Sequence, residues 1–267
     1  MAIVSTEGIV LKVHALGDTS RIVAAYTRDF GLRRFVAKGA RKTPSRFGFA
    51  LEPLSRSRFT FYQKPDRDLH LLSAAEVIDP LGSRLGDITR LAHAQAALEL
   101  VDRLVWGEEP HGELYALLMA TLASCADAPV GTLAAVTLAF QLQLASELGY
   151  RPRLDACAVD GRPVSARRVF SPARGGLLCD GCAAREGGIV LSGDALASFA
   201  LILSRPVGDA GEYVEIPRAG ELFRVVDDFL RMHFQRFQGL RSLEVLRTLE
   251  SAGERRDERP PTPGSRP

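Results

Sequence analysis

The chain has little with which to do covalent chemistry or to cross a membrane. Cysteine is scarce, four in 267 residues, and the opening Met1-Ala2-Ile3-Val4-Ser5-Thr6-Glu7 lacks the basic stretch and apolar run of a secretory leader. A disulfide-held scaffold is therefore not expected, and the cysteines are left for core packing or metal ligation. Long apolar runs are also missing. The alanine-rich segment from Val130 to Leu148 is broken by Thr132, Thr137, Gln141, Gln143 and Ser146, which suits a buried helix better than a membrane span and points to the cytoplasm. No His-Glu-x-x-His, Gly-x-Ser-x-Gly or Gly-x-x-x-x-Gly-Lys occurs, so the common metalloprotease, hydrolase and phosphate-loop chemistries have no motif here. Net charge is only +2, yet 46% of residues are hydrophobic, enough for sizeable cores and against global disorder.

Positive charge is nonetheless gathered in one place. Arg33, Arg34, Lys38, Arg41, Lys42, Arg46, Arg56 and Arg58 face a single anion, Glu52, within the same stretch. Strand alternation sorts the end of it: in Leu54 to Lys64, Arg56, Arg58, Thr60, Tyr62 and Lys64 share one side, while Phe59 and Phe61 on the other can enter a core. A cationic face with a tyrosine in it suits single-stranded nucleic acid, whose phosphates need cations and whose bases can stack. The plainer alternative is a solvated strand face.

Residues 1 to about 80 read as five short strands. These are Gly8 to His14, Arg21 to Thr27, Leu32 to Lys38, Leu54 to Lys64 and Leu69 to Val77, with turn chemistry at Gly17-Asp18 and Asp29-Phe30-Gly31 and a loop over Lys38 to Arg46. Five strands with a long connection after the third match a five-stranded OB-type β-barrel, and closure removes exposed sheet edges. Past Pro80 the apolar period becomes helical: Ile88 to Val105 starting near Asp87, Glu113 to Ala123, Val130 to Gly149, Ala195 to Ser204, Gly220 to Phe237 and Ser242 to Leu249. Cys125 reads as a small buried hydrophobe just past the second of these, and His233 as packing at the core's edge. The fold class is α+β and multi-domain: a barrel over 1–80, a mainly helical body over 81–149 and 190–250, an insertion over 150–189, and a disordered tail over 251–267 with four prolines and four arginines.

The insertion carries Cys157-x-x-Asp160 and, after eighteen intervening residues, Cys179-x-x-Cys182. This is the frame of a zinc ribbon with Asp160 where a second cysteine would complete the first half. Zinc accepts carboxylate oxygen, and a knuckle this small would draw its folding energy from the metal. The alternative is a loop of reduced, packed cysteines.

The order of parts resembles the RecO family of bacterial recombination mediators. The residues that carry the likeness are Thr6-Glu7-Gly8-Ile9-Val10-Leu11, Gly17-Asp18-Thr19-Ser20-Arg21-Ile22, Val36-Ala37-Lys38-Gly39-Ala40-Arg41-Lys42 with Ser45-Arg46-Phe47, Leu148 to Cys157, Phe170-Ser171-Pro172 and Gly175 to Cys182. The resemblance implies an OB barrel, a helical body and a zinc knuckle, with Asp160 departing from the cysteine that many zinc-holding members carry. It also implies a non-enzymatic role in recombinational DNA repair beside the nucleoid. That role comprises binding of single- and double-stranded DNA, annealing of complementary strands, and loading of RecA together with RecR onto DNA coated by single-stranded DNA-binding protein, whose acidic C-terminal tail is a further contact. For that tail, Arg103, Arg224 and Arg231 on the helical body are candidate partners. If roughly six to eight of the barrel cations meet phosphates, log affinity for a single strand falls with log salt at a slope of about −4 to −6. Two other readings stay open: a zinc-dependent enzyme, which would need an open coordination position and a nearby base, and an RNA-binding or scaffold barrel.

Overall fold

The computed structural model describes residues 2–63, 67–107, 110–164, 166–205, 207 and 215–257. Five strands, β1 (Ala2–Leu16), β2 (Ser20–Thr27), β3 (Gly31–Ala37), β4 (Ser55–Gln63) and β5 (Leu69–Pro80), close into a barrel of order β1-β2-β3-β5-β4, with β3 and β5 parallel. β1 runs further than alternation alone suggests because it serves two partners. Its first half, Ala2 to Ile9, pairs with β4, and its second, from Gly8 to Leu16, pairs with β2 across a bulge between Val10 and Lys12. Gly8 lies where both pairings meet, and a Cβ there would stand 2.8 Å from the Tyr26 carbonyl oxygen, so a side chain would force the strands apart.

Alternation divides each strand between the barrel interior and its outer wall. Val10, Val23, Phe35, Phe59, Phe61 and Leu72 fill the inside, with Phe35 stacked on Phe59 at 5.2 Å and Phe61 at 5.0 Å from Phe35. Outside, Ile9, Leu11, Tyr26 and Leu32 join the core of the helical body. Burial of each contributes roughly 1.5–3 kcal/mol, so this half of the wall is fastened to the body rather than resting on it. Lys12 on β1 adds an ion pair with Asp102 at 2.6 Å.

The body is built from α1 (Ile88–Leu104), α2 (Gly112–Asp127), α3 (Leu133–Glu147), α5 (Gly193–Ser204), α6 (Ala219–His233) and α7 (Arg241–Asp257). Asp87 caps α1 by accepting the Arg90 N–H at 2.8 Å. α3 is buried nearly all round and packs against α1, α2, α5 and α6, which explains its apolar residues on every face. Cys125 lies within the last turn of α2 rather than beyond it, and burial pushes its thiol up to about 12. α6 ends at His233, short of Phe237, and Phe234, Phe237 and Leu240 reach the core from the irregular segment that follows, where the Phe237 N–H closes a turn onto the Phe234 carbonyl at 2.9 Å. The tail expected from residue 251 is corrected in its first part: α7 continues to Asp257, since Ala252, Glu254, Arg255 and Arg256 are helix formers and the prolines begin only at Pro260. Residues 258–267 lie outside the described residues.

The insertion folds as a three-stranded sheet of order β7-β6-β8, from β6 (Val169–Ser171), β7 (Gly176–Leu177) and β8 (Ile189–Val190), with the short helix α4 (Asp180–Glu186) between β7 and β8. Gly176 is needed because Arg153 crosses so closely that a Cβ would lie 2.6 Å from its carbonyl oxygen. Phe170 anchors the insertion between Phe199 of α5 and Phe229 of α6, and His233 meets the Pro172 carbonyl oxygen through Nε2 at 3.0 Å, the core-edge packing expected of it.

Candidate nucleic-acid interface and metal centre

The connection from β3 to β4 closes one end of the barrel. Ala40, Phe47 and Leu51 turn inward and complete the interior cluster, while Lys38, Arg41, Lys42 and Arg46 remain exposed. The loop is held at several points. The Arg41 backbone N–H donates to the Thr19 carbonyl at 3.0 Å, the Ser57 hydroxyl donates to the Ala50 carbonyl at 2.8 Å, and the Arg46 guanidinium lies 4.6 Å from the centre of the Phe47 ring. Arg21, Arg41, Lys42, Thr43, Ser45, Phe49 and Glu52 line an open cleft of about 410 Å³, with Arg21 paired to Glu52 at 2.7 Å. Phe49 is 78% exposed beside these cations. A bare aromatic ring next to guanidinium and ammonium groups is the pairing that single strands use, bases on the ring and phosphates on the charges.

The other cations of the stretch have different fates. Arg33 is buried on the opposite side of β3 from Arg34, 5.8 Å from the Phe30 ring centre, and its Nη1 donates to the Leu32 carbonyl, so it is withdrawn from the exposed cations of the stretch. Register explains this: Arg33 pairs with Ala25 in the interior row, whereas Arg34 pairs with Ala24 outside. Arg56 and Arg58 do lie on the outer wall as alternation requires, but Glu7 on β1 bridges them, at 2.8 Å and 3.3 Å. The Arg56 guanidinium is the first cause holding the Glu7 carboxyl below its ordinary range. Glu7 is remote in sequence from the basic stretch, and only the β1–β4 register brings it opposite Arg58. Tyr62 is half-buried on the outer wall beside Ile3 and Leu71, and Lys64 lies outside the described residues. The sequence reading missed Arg21 and Phe49. Phe49 lies between the inward-turned Phe47 and Leu51, and its exposure follows from a short 3-10 turn, Gly48–Leu51, that buries Ala50 and Leu51 and leaves Gly48 and Phe49 outside.

In the insertion, Cys157, Asp160, Cys179 and Cys182 bring one ligand atom each within 4.8 Å of one another. Cys179 Sγ and Cys182 Sγ stand 3.5 Å and 3.4 Å from Asp160 Oδ2. Zinc bond lengths to sulfur and oxygen put tetrahedral ligand atoms about 3.5–3.8 Å apart, so the spacings from Asp160 to Cys179 and Cys182 are those that one ion would require. A tight turn shapes the first half, the Gly161 N–H donating to the Cys157 carbonyl at 3.0 Å, and α4 places Cys179 at its cap and Cys182 in its first turn. The Asp160 carboxyl is held down to about 2, first by the Cys157 thiol and then by the Arg162 backbone N–H, so it stands ionised as a ligand must. Arg185 Nη2 lies 3.2 Å from Cys182 Sγ, a cation against a centre rich in negative donors.

Residues 1–81 match the family described as Recombination protein O N terminal, and residues 85–244 match Recombination protein O C terminal. The chain belongs to the RecO family. It is 34% identical over 255 residues to the DNA repair protein RecO of Streptomyces griseus, covering 92% of this chain and 99% of that one. The DNA repair protein RecO of Symbiobacterium thermophilum is 33% identical over 258 residues, covering 94% and 100%. That of Anaeromyxobacter dehalogenans strain 2CP-C is 38% identical over 181 residues, covering 67% and 70%. The two family matches meet between residues 81 and 85, where the barrel hands over to the body through the 3-10 turn Leu81–Arg84.

Within this RecO-family fold, two of the arginines considered on the helical body cluster around the turn before α7. Arg103 donates to the Gly239 carbonyl and pairs with Glu99 at 3.3 Å, while Glu99 receives the Arg241 and Ser242 N–H groups at the start of α7. Arg231 crowds Gly239, where a Cβ would come within 2.7 Å of its Nη2. Arg103 is thus a staple between α1 and α7 rather than a free recognition group; Arg224 is exposed on α6. Among the described residues no helix is long and apolar enough to cross a membrane.

Proposed function

We propose that this chain is a recombinational DNA repair mediator that binds single- and double-stranded DNA, anneals complementary strands and helps load RecA onto DNA coated with single-stranded DNA-binding protein. The observation that carries the DNA-binding part is the cleft at the barrel's end, where Arg41 and Lys42 share one lining with the exposed Phe49 and Glu52 holds Arg21. The names of the relatives support the repair context. A mediator of this kind needs no bond-breaking. Annealing requires two phosphate backbones to be neutralised together while their bases stay free to test pairing, and cations on a pinned loop do this without reading base edges. With Arg33 buried, Arg56 and Arg58 engaged by Glu7 and Arg21 by Glu52, Arg34, Lys38, Arg41, Lys42 and Arg46 remain for phosphates, so the salt slope expected for a single strand is about −3.5 rather than −4 to −6. A slope near zero, or preference for RNA over DNA of equal length in competition, would replace this reading.

Zinc bound by Cys157, Asp160, Cys179 and Cys182 would cross-link the two halves of the insertion and supply folding energy rather than reactivity. RecR and the acidic, apolar-ended tail of the single-stranded DNA-binding protein complete the proposed partners. An open cleft of about 440 Å³ between α5 and the insertion, lined by Arg151, Arg153, Leu154, Asp155, Ala200 and Leu203, has apolar walls, and with Arg153 paired to Asp155 at 3.5 Å it offers Arg151 to the acid end of that tail, a better match than Arg103. Loss of tail-peptide binding in Arg151→Glu, with DNA binding unchanged, is the expected result.

A further inference from the structure

The insertion is rich in arginine, and the cations around its four clustered residues differ in where they point. Arg153 pairs with Asp155 at 3.5 Å, Arg174 pairs with Glu186 at 2.7 Å, and Arg168 donates through Nε to the Leu191 carbonyl at 3.2 Å. Arg185 is aimed at a sulfur instead. It lies in the last turn of α4, three residues after Cys182 and so on the same face of the helix, with Nη2 3.2 Å from Cys182 Sγ. Cys182 is fully buried and Arg185 is exposed, so the guanidinium lies against the sulfur from the solvent side. On the other half of the cluster, Arg162 meets Asp160 twice: its backbone N–H donates to Oδ1 at 3.1 Å, and its guanidinium Nε stands 3.7 Å from Oδ2. That side chain is 76% exposed, and a loose ion pair in water contributes little. Three thiolates and one carboxylate around a divalent ion would leave a centre of charge −2. Such a charge held within a small fold is costly unless cations offset it.

We infer that Arg185 is a positioning residue of the metal centre: its N–H bond to Cys182 Sγ offsets part of that negative charge and holds the sulfur turned toward the ion. The inference rests on the zinc reading of Cys157, Asp160, Cys179 and Cys182 and deepens it by adding a residue that binds no metal itself. A guanidinium suits the task because its charge is permanent and its rigid fork can keep one N–H on the sulfur while the others face water. Groups that hydrogen-bond metal ligands orient them and set metal affinity, and a hydrogen bond between charged groups is about twice as strong as one between neutral groups. The dipole of α4 is a weaker reason for a cation here, since the helix is only seven residues long. Asp160 makes the support more consequential. With oxygen in the fourth position, more of the hold on a borderline-soft ion falls to the three sulfurs, and Cys182 is one of them.

The test compares full-length wild type with Arg185→Gln, Arg185→Lys and Arg162→Gln. Zinc affinity is measured by competition with a chromophoric chelator at low and high salt, and each protein is also loaded with cobalt(II), whose sulfur-to-metal charge-transfer band reports directly on the thiolates. Arg185→Gln is expected to bind zinc about tenfold more weakly at low salt. The gap to wild type should narrow near 1 M salt, where charges are screened beyond about 3 Å, and the cobalt band should move to lower energy as the sulfur loses its neighbouring cation. Arg185→Lys should recover most of the affinity, and Arg162→Gln should lose less than about threefold. Wild-type zinc affinity and an unmoved cobalt band in Arg185→Gln overturn the inference. So does a loss that is the same at every salt concentration with the band unmoved, which would make Arg185 a packing residue, or an equal loss in Arg162→Gln, which would make the effect one of overall charge. The two readings fail separately: if wild type takes up neither zinc nor cobalt, the metal reading itself falls, whereas a metal-binding wild type matched by Arg185→Gln leaves the four ligands standing and removes only the fifth residue.

Discussion

Arg41 and Lys42 on the loop, and Arg56 and Arg58 on β4, belong to one basic stretch of sequence yet live in different electrostatic surroundings. The first pair is exposed at the barrel's end around an open cleft. The second is bridged by Glu7, and Arg56 is further drawn against Tyr115 of α2 at the seam with the helical body. The comparison teaches that a count of cations along a chain is an upper bound on the field they present. An anion fifty residues away in sequence, delivered by strand register, removes two of them from the reckoning.

The largest expected effect breaks the comparison from the loop side. Replacing Lys38, Arg41 and Lys42 by glutamate should lower single-strand affinity about a hundredfold near 0.1 M salt and flatten the salt slope by about 2; titrations at several salt concentrations check both. The insertion offers a control remote from both groups. Asp160→Ala should cut zinc retention tenfold or more, read by metal analysis of dialysed protein, while loop-dependent DNA affinity stays as in wild type, and Asp160→Cys should retain the metal.

Stability against acid sharpens the contrast on the buried side. His93 in α1 is buried with Nδ1 2.6 Å from Thr137 Oγ1, and desolvation lowers its pKa from 6.5 to about 4. Its folded pKa is depressed, so the unfolded chain binds the extra proton first. Stability is complete above pH 6.5 and falls by on the order of 3 kcal/mol as pH drops to 4. The Glu7 pair acts lower: its carboxyl is held below 4.5, so its contribution is present above that pH and lost on further acidification. Denaturant melts at stepped pH should show both, with His93→Gln removing the upper step and Arg56→Gln the lower. At neutral pH Arg56→Gln should cost about 1 kcal/mol, because the pair is only partly shielded from water. Smallest of all, Arg58→Gln should change single-strand affinity less than twofold. A tenfold loss there would mean that Glu7 does not hold this arginine and that the two cation groups act alike.

Much of the fold is legible in the residues because it rests on local periodicity. Alternation placed Phe59 and Phe61 inside and Arg56, Arg58 and Tyr62 outside, and Asp87 marked the start of α1 at its observed cap. The four-residue cluster was legible for a related reason: two short Cys-x-x motifs each bring a pair of side chains to one face of a turn, and only the closing of the gap between them is long-range. Strand alternation sets Arg33 opposite Arg34, and only barrel closure decides that the Arg33 side is the interior row. Alternation does not mark Phe49 as exposed, since a 3-10 turn obeys neither the strand nor the helix period.

Sequence by itself determined the strand and helix order, the inward aromatics, the clustered cations and the four ligand-bearing residues, since each depends on neighbours a few positions apart. Tertiary structure alone decided which cations stay available, which half of the barrel wall is roofed by α1, and which apolar residues are left bare. Those outcomes depend on barrel closure and on pairings between residues as distant as Glu7 and Arg58, or Lys12 and Asp102. Charge and hydrophobic surface act through space, and the distances through which they act are set only when the chain has closed on itself.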